Sequence, residues 1–135
     1  LRLVRGLISL DSTALTAKNL IRDFCGDNHS GVLFQVARTF YDELAAGPSQ
    51  KTLMLHSEWK ALFAIGHNDL SQQKRIQERR EILSTLLERK LKTPEEEYRG
   101  LFAIHTAYAI VIKLIAFRVV CDLWERQASR FGKLL

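Results

Sequence analysis

Apolar residues recur every three or four positions through much of this chain, the spacing that places them on one face of an α-helix. The clearest example follows Ser30, a candidate N-cap, and ends at Gly47-Pro48-Ser49. We predict an amphipathic helix there, buried along its apolar face. The residues on that face are Leu33, Val36, Ala37, Phe40, Tyr41 and Leu44.

Two neighbouring segments also fit helices. Thr16 to Phe24 is preceded by several possible N-cap residues and closes at Gly26, which suits a left-handed turn at a helix end. Lys51 to Ile65 is predicted to be amphipathic and to end at Gly66-His67-Asn68-Asp69. The apolar face of this second helix contains Met54 or Leu55, Trp59, Leu62 and Phe63.

The segment from Ser71 to Lys92 predicts a long polar helix. It contains seven basic and three acidic residues, so it carries most of the net charge of +5. A basic helix attracts phosphates, but a solvated face with glutamates placed for i,i+4 pairs is the other interpretation. The candidate phosphate-binding residues are Lys74, Arg75, Arg79, Arg80, Arg89 and Lys90. The apolar residues along one side are Ile76, Leu83, Leu87 and Leu91.

The strongest start signal for a helix is Thr93-Pro94-Glu95-Glu96. Thr93 offers an N-cap hydroxyl, Pro94 takes the first helical position, where no amide hydrogen is needed, and Glu96 closes a capping box. The acidic residues also complement the positive end of the helix dipole. A helix therefore begins at this point.

From Leu101 to Val120, apolar residues cover every side of that helix. A helix that is apolar all round is buried all round, so we expect the other helices to surround this one. We also expect Trp59, Phe102 and Trp124 to lie in the core. A membrane span is the alternative, but His105, Lys113 and Arg118 interrupt a run shorter than the roughly 20 residues that a span requires.

The fold class that follows is all-α, a single helical bundle of about five helices around a long buried C-terminal helix, with residues 1–135 forming one domain. The content of 47% hydrophobic and 26% charged residues is typical of a globular protein. Cys25 and Cys121 lie in apolar segments, which indicates buried free thiols in a reducing cytoplasm. The chain begins without methionine, so we expect a piece of a longer protein. For Leu1 to Leu10, a strand, a helix end and a packed loop remain open.

Candidate catalytic chemistry is sparse in the sequence. The four histidines lie far apart, none has the i,i+4 partner of a helical zinc site, and the two thiols complete no ligand set, so no metal is predicted. His105 is interpreted as a hydrogen-bonded core or interface histidine rather than a catalytic base. There is no glycine-rich phosphate loop. We therefore predict no catalytic residue and no cofactor within these 135 residues.

Three ordered patches carry a resemblance to a known family. They are Leu15 to Phe24, then Ser57 to Phe63 with Trp59 and Lys60, then Leu101 to Ala116 with His105, Thr106 and Lys113. Together they resemble the helical region that precedes the catalytic domain in large N-6 adenine DNA methyltransferases of restriction and phage-defence systems. The resemblance implies structural roles for Trp59, His105, Thr106 and Lys113.

The methyltransferase signature itself is missing from the chain. In that family an Asn/Asp-Pro-Pro-Tyr/Phe loop holds the flipped adenine, whereas Pro48 and Pro94 are the only prolines here. The resemblance thus implies a non-catalytic module, with S-adenosylmethionine bound elsewhere in the parent enzyme. Partners would be the rest of that polypeptide and DNA phosphates. The other hypothesis is a protein-interaction or scaffold domain that docks a partner or a second copy of itself.

Overall fold

A computed structural model describes residues 16–67 and 73–131, except for the side chains of 65–67, 73–76 and 128–131. All the regular structure in these ranges is helical, which confirms the predicted all-α class. The expectations for Leu1 to Leu10 and for the start at Ser71 lie outside the described residues. The helices are α1 (Ala17–Leu20), a π-helical turn (Ile21–Cys25), a 3₁₀ turn (Asp27–His29), α2 (Val32–Ala46), α3 (Gln50–His67), α4 (Gln73–Leu87) and α5 (Pro94–Phe131).

The predicted start of α5 is confirmed atom by atom. The Thr93 hydroxyl accepts a hydrogen bond from the Glu96 amide at 3.2 Å, and the Glu96 carboxylate accepts from the amides of Thr93 and Lys92 at 2.9 and 2.7 Å. These backbone hydrogen bonds lower the pKa of Glu96, because they favour the charged carboxylate. Orphan amides at the helix end are thereby satisfied.

Three other helix ends also follow from the local sequence, and a fourth does not. The Thr16 hydroxyl accepts a hydrogen bond from the Asn19 amide at 3.3 Å, and Gly26 closes the π turn with φ at +66°. Gly47 ends α2 with φ at +109°. The predicted Ser30 cap is wrong, because the N-cap of α2 is Gly31 and no side chain caps it.

The core lies where α2 packs along α5, the most extensive contact between helices. Ala37, Ala103 and Ala107 are fully buried, so the two backbones approach closely there. Leu33 lies near Val111, and Leu44 lies near Phe102, so α2 runs antiparallel to α5. Helices α3 and α4 also pack against α5, which gives one bundle around its N-terminal half.

Burial of α5 differs from the prediction, because only one face is covered. Leu101, Ala103, Ala107, Val111 and Ile115 are buried against the bundle, and no described side chain after Ile115 is buried. The physical reason is length. At about 1.5 Å per residue, the 38 residues of α5 extend about 57 Å, whereas the 15 residues of α2 extend only about 22 Å.

Helix α4 ends earlier than predicted, at Leu87 rather than Lys92. Glu88 takes a left-handed conformation with φ at +53°, and the amides of Glu88 and Arg89 bond back to the carbonyls of Thr85 and Ser84 at 3.3 and 3.1 Å. This is the Schellman arrangement, which usually places glycine at the left-handed position. The sequence carries no glycine there, so this helix end could not be predicted from it.

Replacing Glu88 with glycine should raise the free energy of unfolding by about 0.5 to 1 kcal/mol. The left-handed conformation costs a residue with a Cβ about 1 to 2 kcal/mol, and the exposed ion pair from Glu88 to Arg38 that would be removed is worth at most about 1 kcal/mol. Urea denaturation would measure the change. The same substitution at Glu81, in the middle of α4, should lower stability by about 1 kcal/mol. Equal losses at both sites would contradict this explanation.

Candidate interaction surface

The side of α5 opposite the bundle is lined by large apolar residues that nothing in the described structure covers. Trp124 is 74% exposed and Phe117 is 69% exposed, and neither side chain lies in the core. The predicted burial of Trp124 is therefore wrong. We call this surface the α5 apolar face, and its members are Tyr108, Ile110, Ile112, Phe117, Val120, Leu123 and Trp124.

This face wraps around more of the helix than the buried side does. At about 100° per residue, its seven members spread over an arc of about 200°, whereas Ala107, Val111 and Ile115 occupy an arc of about 80° toward α2. Lys113 is the one basic residue within the exposed arc. The only acidic residue between Tyr108 and Trp124 is Asp122, which pairs with Arg118 at 3.1 Å.

Among the grooves that border the α5 apolar face in the described structure, two lie on its flanks. One is an apolar cavity of about 200 Å³ between α5 and the π turn, where Tyr108 and Ile112 face Ile21 and Cys25. Burial raises the pKa of the Cys25 thiol, so it stays protonated at neutral pH. The other groove, of about 530 Å³, lies between α2, α3 and α5 and brings Ile110 near Leu55. The apolar surface is therefore continuous with both flanks of the helix.

Two of the candidate phosphate-binding residues are held in ion pairs within the fold. Arg79 Nε donates to Glu97 Oε1 at 2.7 Å, and Arg80 donates to Glu97 Oε2 at 3.0 and 3.2 Å. Glu97 is only 3% exposed, and it lies one turn before Leu101 on the buried face of α5. Its position four residues before Leu101, on the same side of the helix, was the sequence signal that this carboxylate is buried and needs cationic partners.

The remaining candidate cations are dispersed. Arg89 forms two hydrogen bonds to Asp42, at 2.8 and 3.1 Å, which raise the pKa of its guanidinium. Lys90 is exposed beside a shallow hollow that Arg80 also lines. Lys74 and Arg75 lie on α4, but their side chains are outside the described residues. The described members therefore form no single basic stripe.

Two of the residues that carry the resemblance, Trp59 and His105, meet at the interface between α3 and α5. The rings of Trp59 and His105 lie 5.4 Å apart in an edge-to-face arrangement, and Phe63 stacks on Trp59 at 4.7 Å. His105 was predicted to lie in the core or at an interface; it is exposed and contacts Trp59 across the interface between α3 and α5. Thr106 is half-buried beside the larger groove, and Lys113 is exposed.

His56 is a buried histidine that the apolar spacing did not reveal. It is 7% exposed, its ring lies edge-to-face with Phe102 at 5.2 Å, and its Nε2 has no hydrogen-bond partner among the residues that the structure describes. Burial lowers the pKa of His56; Glu95 opposes that shift, and Lys60 and Arg99 add to it. The spacing of this segment favoured Leu55 and Leu62, which are instead exposed, because His56 and Trp59 occupy the contact with α5.

Stability should fall as the pH drops below about 6.5, the pKa of histidine in the unfolded chain. A pKa that is lower in the folded state means that protonation favours unfolding, so the stabilisation is present above about pH 6.5 and is lost as the pH falls. One proton limits the slope to about 1.4 kcal/mol per pH unit. Denaturation of H56F between pH 5 and pH 7 should show a smaller slope than the unsubstituted protein. An unchanged slope in H56F would contradict this assignment.

Comparisons with known proteins identify no relative of this chain. No family model, no curated protein and no solved structure matches it. Within the described residues, one helical stretch, Pro94–Gln127, is long and apolar enough to cross a membrane by length and composition. The geometry of α5 is therefore the main guide to function.

Proposed function

We propose that this chain is a non-catalytic helical module that docks a protein partner through the α5 apolar face. The observation that carries the proposal is that seven large apolar side chains on α5 are between 38% and 74% exposed. Contiguous apolar patches of more than a few hundred Å² are rare on monomeric soluble proteins and mark interaction sites.

A protein partner fits this surface better than the interior of a membrane. The opposite face of α5 is packed against α2, which carries Asp42 and Glu43 on its exposed side. Moving α5 into lipid would either strip away this packing or bring those charges toward the hydrocarbon, at a cost of several kcal/mol. Docking a protein covers the exposed arc and leaves the bundle intact.

Photo-crosslinking tests the docking directly. A benzophenone amino acid replaces Phe117 in the polypeptide that carries this chain, and the matched control replaces Leu62, which is 72% exposed on α3. We expect irradiation to join position 117, and not position 62, to a protein segment. Crosslinks to lipid alone, or equal yields at the two positions, would overturn the proposal.

A second candidate places the module in a cytoplasmic DNA methyltransferase or restriction-modification protein, with S-adenosylmethionine bound by the catalytic part. Its support is the resemblance, together with the fact that two of the matching patches meet where Trp59 contacts His105. The partner on α5 would then be the rest of the parent polypeptide. DNA contact would draw on Lys74, Arg75 and Lys90, because Arg79, Arg80 and Arg89 have carboxylate partners.

Charge reversal tests the DNA contact. Glutamate at Lys74, Arg75 and Lys90 of the parent should weaken DNA binding and reduce its dependence on salt by about one unit of slope for each phosphate that is no longer bound. Glutamate at Lys51, which is exposed on α3, is the control. Such contacts position DNA and do not read its sequence. Unchanged affinity in the triple variant would remove DNA contact from the proposal.

A further inference from the structure

We propose that the partner on the α5 apolar face is a second copy of this chain, with the two α5 helices antiparallel across a two-fold axis at Ala116. The inference rests on the proposed docking function and adds the identity of the partner. Ala116 is exposed and lies near the middle of the arc, so it marks the point where two backbones can approach most closely. In a two-fold interface the same patch is used by both copies.

If every member were fully covered, the area of the face would approach what a stable dimer buries. Its three aromatic side chains contribute about 400 Å² of exposed surface at the observed exposures, since a whole aromatic side chain offers about 150 to 250 Å². Adding the four aliphatic members brings the total to roughly 700 Å², close to the roughly 800 Å² that each partner buries in a standard interface. Typical monomers have largest apolar patches of about 300 to 600 Å².

The order of residues along the face is complementary to itself when the helices run antiparallel. With the axis at Ala116, residues at equal distances before and after it face each other across the interface. The small Ala109 then faces the large Leu123 of the other copy, and the β-branched Ile112 faces the β-branched Val120. Phe117, one residue from the axis, comes together with its counterpart along one edge.

Charge does not oppose this arrangement. Lys113 lies about 60° around the helix from Ala116, and the antiparallel arrangement separates the two copies of Lys113 by about 9 Å along the helix axis. The Lys113 stem can then cover apolar surface while its ammonium reaches water. Because Asp122 is paired with Arg118, the charged group that the face presents between Tyr108 and Trp124 is Lys113, and Arg126 lies at its end beside Trp124. The surface that matches the α5 apolar face is therefore another apolar surface, such as the same face of a second copy.

The mass of the 135-residue chain in solution tests the pairing. Light scattering should give twice the single-chain mass of 15.5 kDa at high protein concentration and a fall toward that mass on dilution. A116E places two like charges at the axis and should keep the single-chain mass, and F117S provides a second disruptive variant if A116E does not fold. L62E, an equally polar change on exposed α3, should keep the dimer. A single-chain mass at every concentration up to about 1 mM, where affinities become very weak, would overturn the pairing.

Cysteine crosslinking tests the orientation in a chain with Cys25 and Cys121 replaced by serine. Under mild oxidation, A116C should form a disulfide with itself, and a mixture of A109C and L123C should form mixed dimers. A109C alone and L123C alone should not crosslink, because each lies opposite the other. Self-crosslinking of both A109C and L123C would indicate parallel helices and overturn the proposal. A monomeric mass combined with crosslinks from position 117 to another protein would overturn the pairing and leave the docking function standing.

Discussion

Replacing Glu97 with glutamine should lower the free energy of unfolding by about 2 to 3 kcal/mol. The substitution keeps the volume of the side chain but removes the charge that both Arg79 and Arg80 contact. Removing one partner of a fully buried pair costs about 3 to 5 kcal/mol, and the smaller value is expected because both guanidinium groups are partly exposed and can regain water. Urea denaturation at neutral pH would measure the loss.

The matched control is the same substitution at Glu95, two residues earlier. Glu95 pairs with Lys60 at the surface, and the hydrogen bond from Lys60 lowers the pKa of Glu95. Pairs of this kind contribute at most about 1 kcal/mol, so E95Q should have a small effect. Losses of equal size in E97Q and E95Q would show that Glu97 is not the centre of a buried ion-pair cluster.

Replacing Leu87 with alanine should destabilise the fold by about 2 to 5 kcal/mol. Leu87 is 0% exposed and is the largest fully buried side chain described. It lies at the last turn of α4, against Gly100 of α5, so its removal leaves a cavity between two helices that the short loop to Thr93 holds together. Thermal or urea unfolding would measure the change, and I82A, at an exposed position on α4, is the control.

The contact with Gly100 makes the Leu87 effect depend on its neighbour. A Cβ at Gly100 would lie 2.9 Å from Leu87 Cδ1, too close for an ordinary contact. When Leu87 is present, G100A stabilises the helix by about 1 kcal/mol through its higher helix propensity, but its new methyl group must displace the Leu87 Cδ1 methyl group. With alanine at position 87 the closer contact disappears and Leu91 Cδ1, at 3.3 Å, is the close neighbour that remains, so G100A should stabilise. Additive effects of the two substitutions would contradict direct packing at this point.

Several parts of the fold could be predicted because their causes are local. Thr93 to Glu96 form a capping box from residues three apart, and Gly47 ends α2 because glycine tolerates a positive φ. The apolar positions of α2 are confirmed at Leu33, Ala37, Tyr41 and Leu44. In each case a residue and its partner lie within one or two helical turns.

Other features depend on contacts between residues distant in the sequence. Four of the seven basic residues counted between Ser71 and Lys92 lie on α4, and the count could not show that Arg79 and Arg80 pair with a carboxylate 17 or more positions later. Likewise, Arg38 on α2 bonds the Leu86 carbonyl and pairs with Glu88, which helps to stop α4 where no glycine marks the end. These pairings require the tertiary arrangement of the helices.

Only part of the candidate site could be predicted from the sequence. The apolar character of α5 on all sides predicted that every side of the helix needs cover. The sequence could not show that the bundle covers only the side containing Val111 and Ile115, because that depends on the relative lengths of α2 and α5. The proposed partner would cover the remaining arc, from Tyr108 to Trp124.

Cysteine accessibility tests most directly whether the α5 apolar face is covered. In the chain without Cys25 and Cys121, maleimide labelling of L123C would be compared with that of L62C, since both positions are exposed leucines in the single copy. At concentrations that support docking, L123C should react at least about tenfold more slowly, because only the open fraction reacts, while L62C should react at the rate of a free thiol. Equal and rapid labelling at both positions would contradict docking by a second copy.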